Sequence, residues 1–126
     1  QIHQQLLRTF AFVCFIFPMK IIALFALGQN LGLPMQMVIE ALQKGAASSW
    51  ALTNRSQAML LDKYPLGFKL ELHHKDLAIA LKIAQEVGLD LPITSKVKDI
   101  ELDLINQGYN EEDVSVLRRS IIRRDS

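Results

Sequence analysis

The stretch Phe10-Ala-Phe-Val-Cys14-Phe-Ile-Phe17-Pro18-Met-Lys20-Ile-Ile-Ala-Leu-Phe25-Ala-Leu27 decides how the rest of the chain is read. It carries one charge, Lys20, and no other strongly polar side chain. A helix apolar on every side needs cover on every side, from protein or from lipid. The organising stretch as a whole runs from Leu6 to Leu33, and the helix in it is expected over about His3 to Leu31. Pro18 removes one backbone hydrogen bond and should kink it. Gly32 is a natural stop, because a left-handed turn costs glycine nothing.

A membrane span is one reading of this segment, since its length nearly suffices. Pro18 and Lys20 in its middle argue against it, because a lysine at mid-bilayer is costly. No small-residue cleavage site follows a short apolar block, so it does not read as a signal peptide. The preferred reading is a long, kinked helix buried in a soluble domain.

Outward from that helix the chain breaks into shorter amphipathic segments. Pro34 suits the first turn of a second helix whose apolar side is Val38, Ile39, Ala41 and Leu42, ended by Gly45. Ser48 or Ser49 can cap a third, from Trp50 to about Asp62. Pro65 and Gly67 mark a loop. The fourth helix runs from near Phe68 to Val87. Leu70, His73, Leu77, Ala80, Leu81, Ala84 and Val87 recur there at three- and four-residue steps. Asp90 caps and Pro92 opens the fifth, with a stripe of Ile93, Val97, Ile100 and Leu104. Asn110 caps the sixth, with Glu111, Glu112 and Asp113 in its first turn and Val114, Leu117 and Ile121 facing inward. No stretch alternates with period two. The expectation is an all-α, six-helix single domain over residues 1–126, organised around one long apolar N-terminal helix.

Composition removes several function classes. The chain has 126 residues, enough for one domain with a proper core, and 14 basic side chains face 13 acidic ones. That balance gives no electrostatic case for nucleic acid or an anionic surface. The one basic cluster, Arg118, Arg119, Arg123 and Arg124, reads as a solvated helix end suited to the helix dipole. The single cysteine, Cys14, excludes an intrachain disulfide and fits a reducing, cytoplasmic compartment. The six glycines form no dinucleotide fingerprint and no phosphate loop. No Cys–His spacing suits a metal. His73 and His74 point about 100° apart on a helix, so they cannot chelate together. Glu71 and Lys75 read as an ordinary surface pair. From residues and spacing alone there is no visible catalytic apparatus.

The order of several short motifs resembles a known family. Phe68, Leu72 and Lys75-Asp76-Leu77-Ala78-Ile79-Ala80 resemble the C-terminal signature of the β-hydroxyacid dehydrogenases, such as the 3-hydroxyisobutyrate and 6-phosphogluconate dehydrogenases. Around it stand Gly32-Leu33, Gly45-Ala-Ala-Ser-Ser-Trp50, Pro65-x-Gly67-Phe68, Gly88-x-x-x-Pro92 and Gly108-Tyr-x-x-x-Asp113-x-Ser115. The likeness covers about Ala23 to Ile121. It implies an NAD- or NADP-binding Rossmann domain, which residues 1–126 lack, and a helical C-terminal domain that closes the active site and carries a homodimer contact. It implies that Lys75 lies against the cofactor and that Phe68 and Asp76 line the mouth of the site. The family's catalytic lysine, however, falls near Arg8 by ungapped count, and the asparagine one turn later near Phe12. Arginine does not lose its proton in proteins, so it is no substitute. Lys20 sits in the wrong turn.

The chain is therefore expected to be a fragment or degenerate copy of a dehydrogenase acting on a small 3-hydroxy acid, inactive by itself, with no matched catalytic residue and no metal. A non-catalytic helical dimerisation module and a membrane-associated helical protein are the competing readings. Neither nucleic acid nor a membrane is an expected partner.

Overall fold

The computed structural model describes residue 4 and residues 18–121. Among these the elements are α1 (Pro18–Asn30), α2 (Met35–Gln43), α3 (Trp50–Leu61), α4 (Leu70–Glu86), α5 (Pro92–Asn106) and a 3-10 helix, Val114–Ser120. The described residues hold no strand, only an isolated antiparallel bridge between Lys69 and Asp113. The protein is all-α. The described residues fall into two compact units, Leu66–Val114 and residues 18–65 with 115–121.

In the unit built from α1, α2 and α3, the core comes from one face of each helix. Ile21, Ile22, Phe25 and Ala26 of α1 are buried, as are Met35 and Ile39 of α2 and Ala51, Leu52 and Met59 of α3. The expected helix from His3 to Leu31 is supported only from Pro18 onward. Residues 5–17, with Arg8, Phe12 and Cys14, lie outside the described residues. Nor is α1 covered on all sides: Leu27 is 63% exposed and Leu31 66%. Among the described residues, neighbours bury one side of α1, at Ile21, Ile22, Phe25 and Ala26.

The helix ends follow local chemistry. Gly32 has φ +71°, and the amides of Gly32 and Leu33 reach back to the carbonyls of Gln29 and Gly28. This is the left-handed C-terminal turn that glycine favours. Ser49 is the cap of α3, accepting from the Leu52 amide at 3.1 Å. Pro34 stands one place before α2, and that helix closes at Gln43, before Gly45. α3 ends on Asp62 in a left-handed conformation with φ 52°, a position no glycine occupies. The Asp62 carboxylate accepts from Nε of Arg119 at 2.9 Å, and the Arg119 guanidinium lies 4.9 Å from the centre of the Tyr64 ring. Arg118 donates to Oε1 of Gln29 at 3.0 Å. The two arginines thus make specific polar contacts where a solvated helix end was expected, whereas Arg123 and Arg124 lie outside the described residues.

In the unit Leu66–Val114, α4 packs against α5. Leu70, His73, Leu77 and Ala84 form the buried face of α4. On α5 the buried face is Thr94, Val97, Glu101 and Leu104. The expected stripe placed Ile93 inward, but that side chain is 71% exposed. Val97 and Leu104 of that stripe are buried as expected, and the other inward places fall on Thr94 and Glu101. Asp90 does not cap α5: Leu91 occupies the cap position and no side chain accepts there. The expected sixth helix from Asn110 is instead a turn followed by the 3-10 segment, in which Val114 and Leu117 are buried; Ile121, just past its end, is 38% exposed.

Candidate functional site

The candidate site is built on the start of α4. Its preceding loop carries Phe68 and is held by a residue far along the chain. Oδ1 of Asp113 accepts from the amides of Gly67 at 3.2 Å and Phe68 at 2.8 Å. Asp113 is fully buried, so these bonds replace its hydration. The Val114 amide returns a bond to the Phe68 carbonyl at 2.8 Å. α4 begins without a side-chain cap. The amides of Leu70 and Glu71 donate instead to the carbonyls of Glu112 and Asn110, at 2.9 and 3.0 Å. The Asn110 side-chain amide donates to Oε2 of Glu71 at 3.2 Å, so Glu71 turns to this loop rather than to the expected partner Lys75. The loop leading into α4 is thereby referenced to residues 110–114.

Beneath Phe68 lies a buried polar pair. His73 Nδ1 stands 2.6 Å from Oε2 of Glu101, and both side chains are fully buried. With an ionised carboxylate as acceptor, Nδ1 carries the proton. Phe68 is half-buried. It meets the His73 ring edge-on, with centroids 6.1 Å apart and planes at 88°, an arrangement aromatic pairs favour. His74 is half-buried, and its Nδ1 is shut from water with no hydrogen-bond partner. The adjacent histidines thus divide between core and edge, and the core one is tied to a carboxylate.

Lys75 is exposed on α4. Two residues on from His73, it points to roughly the opposite side of the helix. It makes no ion pair among the described residues. On its side of the helix stand Leu72, 45% exposed, and Ile79, half-buried. Asp76, the next residue, is half-buried. The structure therefore puts Phe68 just before α4 and Lys75 and Asp76 in its second turn. The positions matching the family's catalytic lysine and asparagine, Arg8 and Phe12, lie outside the described residues.

The family model described as NAD-binding of NADP-dependent 3-hydroxyisobutyrate dehydrogenase matches residues 17–121. The chain belongs to that family. An oxidoreductase of Shewanella frigidimarina is 37% identical over 83 residues, 66% of this chain and 26% of that protein. The 2-hydroxy-3-oxopropionate reductase of Escherichia coli is 33% identical over 84 residues, 67% of this chain and 29% of the enzyme. Among solved structures, 3-hydroxyisobutyrate dehydrogenase of Mycobacterium tuberculosis with L-serine superposes with a TM-score of 0.76 at 21% identity. That match covers 86% of this chain and 40% of the other, and it shows the fold. The chain thus spans between a quarter and a third of the curated relatives it matches.

Membership in this dehydrogenase family implies NAD or NADP as cofactor. The residues at hand fit such a group. Lys75 offers an ammonium to a phosphate or carboxylate, and Leu72 beside it offers apolar surface to a ring.

Two contributors escaped the sequence reading. Glu101 left a signal: it follows Val97 by four residues and precedes Leu104 by three, so it sits on the apolar stripe, opposite a helix whose own stripe contains His73. Asp113 stands within the resemblance motif Gly108-Tyr-x-x-x-Asp113-x-Ser115, but its role left no local signal, because its partners lie 45 and 46 residues away. In the other unit, a cleft of about 390 Å³ lined chiefly by Ile21, Leu24, Leu42 and Leu52 holds none of the expected cofactor residues. No described helix is long and apolar enough to cross a membrane.

Proposed function

We propose that this chain is the C-terminal helical domain of an NAD(P)-dependent 3-hydroxyacid dehydrogenase-like oxidoreductase. It contributes part of the cofactor and substrate site and a homodimer contact, and it does not turn over alone. The observation that carries the reading is the exposed Lys75 on a rigidly held α4, in a chain matched by the family model from residue 17 to 121. In this reading Lys75 meets the cofactor, while Phe68 and Asp76 line the mouth of the site. The bound nicotinamide supplies the hydride chemistry. A Rossmann fold supplied from outside residues 1–126 holds the rest of the cofactor. The substrate is a small 3-hydroxy acid and the compartment the cytoplasm. Residues 1–126 act as one domain, with the oily N-terminal stretch as one long helix at its centre.

Calorimetric titration of NADPH into the chain tests this. Weak binding that K75A abolishes, with the circular dichroism unchanged, is the expected result. Binding indifferent to K75A would remove Lys75 from the site, and hydroxy-acid oxidation by residues 1–126 alone would refute their dependence on a domain outside them.

A second reading, a non-catalytic dimerisation module, draws on Leu27 and Leu31, four residues apart on α1 and at its end, at 63% and 66% exposure. Sedimentation with L27E/L31E separates the two: the module reading requires loss of a dimer with no effect on NADPH.

A further inference from the structure

His73 and Glu101 sit on the buried side of α4 and α5, and neither shares the outward face of Lys75. Holding two helices together does not require them. Replacing a buried ion pair by hydrocarbon of similar volume is commonly neutral or stabilising. The pair also carries a penalty, since Oε1 of Glu101 is buried without a hydrogen-bond partner. A contact present only for stability would not keep that orphan.

What the pair adds is direction. Apolar packing tolerates a helix turned by some degrees, whereas a 2.6 Å bond from a rigid ring fixes the angle. The ring is further indexed by Phe68, whose own amide is fixed by Asp113. A rotation of α4 by about 20° would move an atom about 6 Å from its axis by about 2 Å. A misplacement of that size is large for any group that must meet a ligand.

We propose that His73 and Glu101 are a positioning pair that fixes the rotation of α4 about its axis and so sets where Lys75 stands for a nicotinamide cofactor. Only the last step rests on the cofactor reading above; the rotation is independent of it.

The test uses the full chain as wild type, E101Q, which keeps an acceptor oxygen, and H73L/E101L, which keeps the volume without the bond. Residual dipolar couplings give the orientation of the α4 amides relative to those of α5. The double variant is expected to stay folded, with α4 turned about its axis by about 15° or more, which carries an atom about 6 Å from the axis by about 1.5 Å. E101Q is expected to match wild type. NADPH titration should then show at least a tenfold weaker Kd for the double variant and less than a twofold change for E101Q. An unturned α4 in the double variant overturns the proposal. So does a turned α4 that binds NADPH as wild type does. If wild type itself does not bind NADPH, the cofactor reading falls, and the couplings alone decide the positioning role. Should H73L/E101L fail to fold, E101M carries the same comparison, because it removes the bond and leaves the imidazole in place.

Discussion

Replacing Asp113 by alanine should loosen the loop that carries Phe68, 45 residues upstream. Its carboxylate accepts two backbone amides, at 3.2 and 2.8 Å, in a fully buried place. Hydrogen bonds to a charged group contribute about 1.5–3 kcal/mol each, and the amides left behind become buried donors without acceptors. The longer bond belongs at the low end, so D113A is expected to lose about 3–5 kcal/mol. A domain of this size holds roughly 6–19 kcal/mol in all, so the variant should still fold. With a urea slope of about 2 kcal/mol per molar, its midpoint should fall by about 2 M. D113N keeps one acceptor oxygen and loses the charge, and should lose about 1–2 kcal/mol. Hydrogen exchange gives the local readout: the Gly67 and Phe68 amides should lose protection in D113A ahead of the amides of α5. A midpoint within about 0.3 M of wild type, or unchanged exchange at those two amides, would refute the claim that Asp113 holds the loop.

Two further outcomes are expected. Gly88, just past the end of α4, has φ +74° with no atom within 4 Å of where a Cβ would stand. G88A therefore meets backbone strain alone and should lose about 1–2 kcal/mol in thermal unfolding. The Asp62 carboxyl is held below its ordinary 3.8: burial pushes it up, but Arg119 outweighs this by hydrogen bond and charge, with Tyr64 and Arg118 assisting. The sign follows from that depression. The contribution is fully present above the unfolded value and is lost as pH falls through the lower folded value. The stability difference between wild type and D62N, which keeps a residue tolerant of the left-handed turn, should therefore be small and positive at pH 6 and shrink as pH falls through the lower folded value; Asp62 is exposed, so screening keeps it small. Urea melts across that range measure it.

How far the sequence carried the reading depends on the range of each signal. The inward face of α4 was plain, because Leu70, His73, Leu77 and Ala84 repeat with the helix's own period. The phase of α5 slipped because Ile93 was weighed by hydrophobicity, whereas its place just after Pro92, at the mouth of the helix, leaves it outside. The sixth helix begins later than expected, and as a 3-10 segment, for a related reason. Glu111, Glu112 and Asp113 look like charges gathered at a helix start, yet Asp113 is committed to two amides 45 and 46 residues upstream. Asp62 was hidden in another way, as a left-handed helix stop without glycine. Of the candidate site, Phe68, Lys75 and Asp76 were reachable through resemblance alone. Glu101 could have been found by asking why a carboxylate shares a stripe with Val97 and Leu104.

The start of α4 has one more consequence. The first two amides of a helix are ordinarily a ready receptor for phosphate, but here Leu70 and Glu71 are already bonded to the carbonyls of Glu112 and Asn110. An anion arriving at this end finds those two donors already taken and would have to be met by a lysine tip, a mobile point charge without a fixed fork. Such a contact attracts negative charge without reading its shape. Discrimination between one phosphorylated or carboxylated ligand and another would then have to come from groups other than this helix terminus.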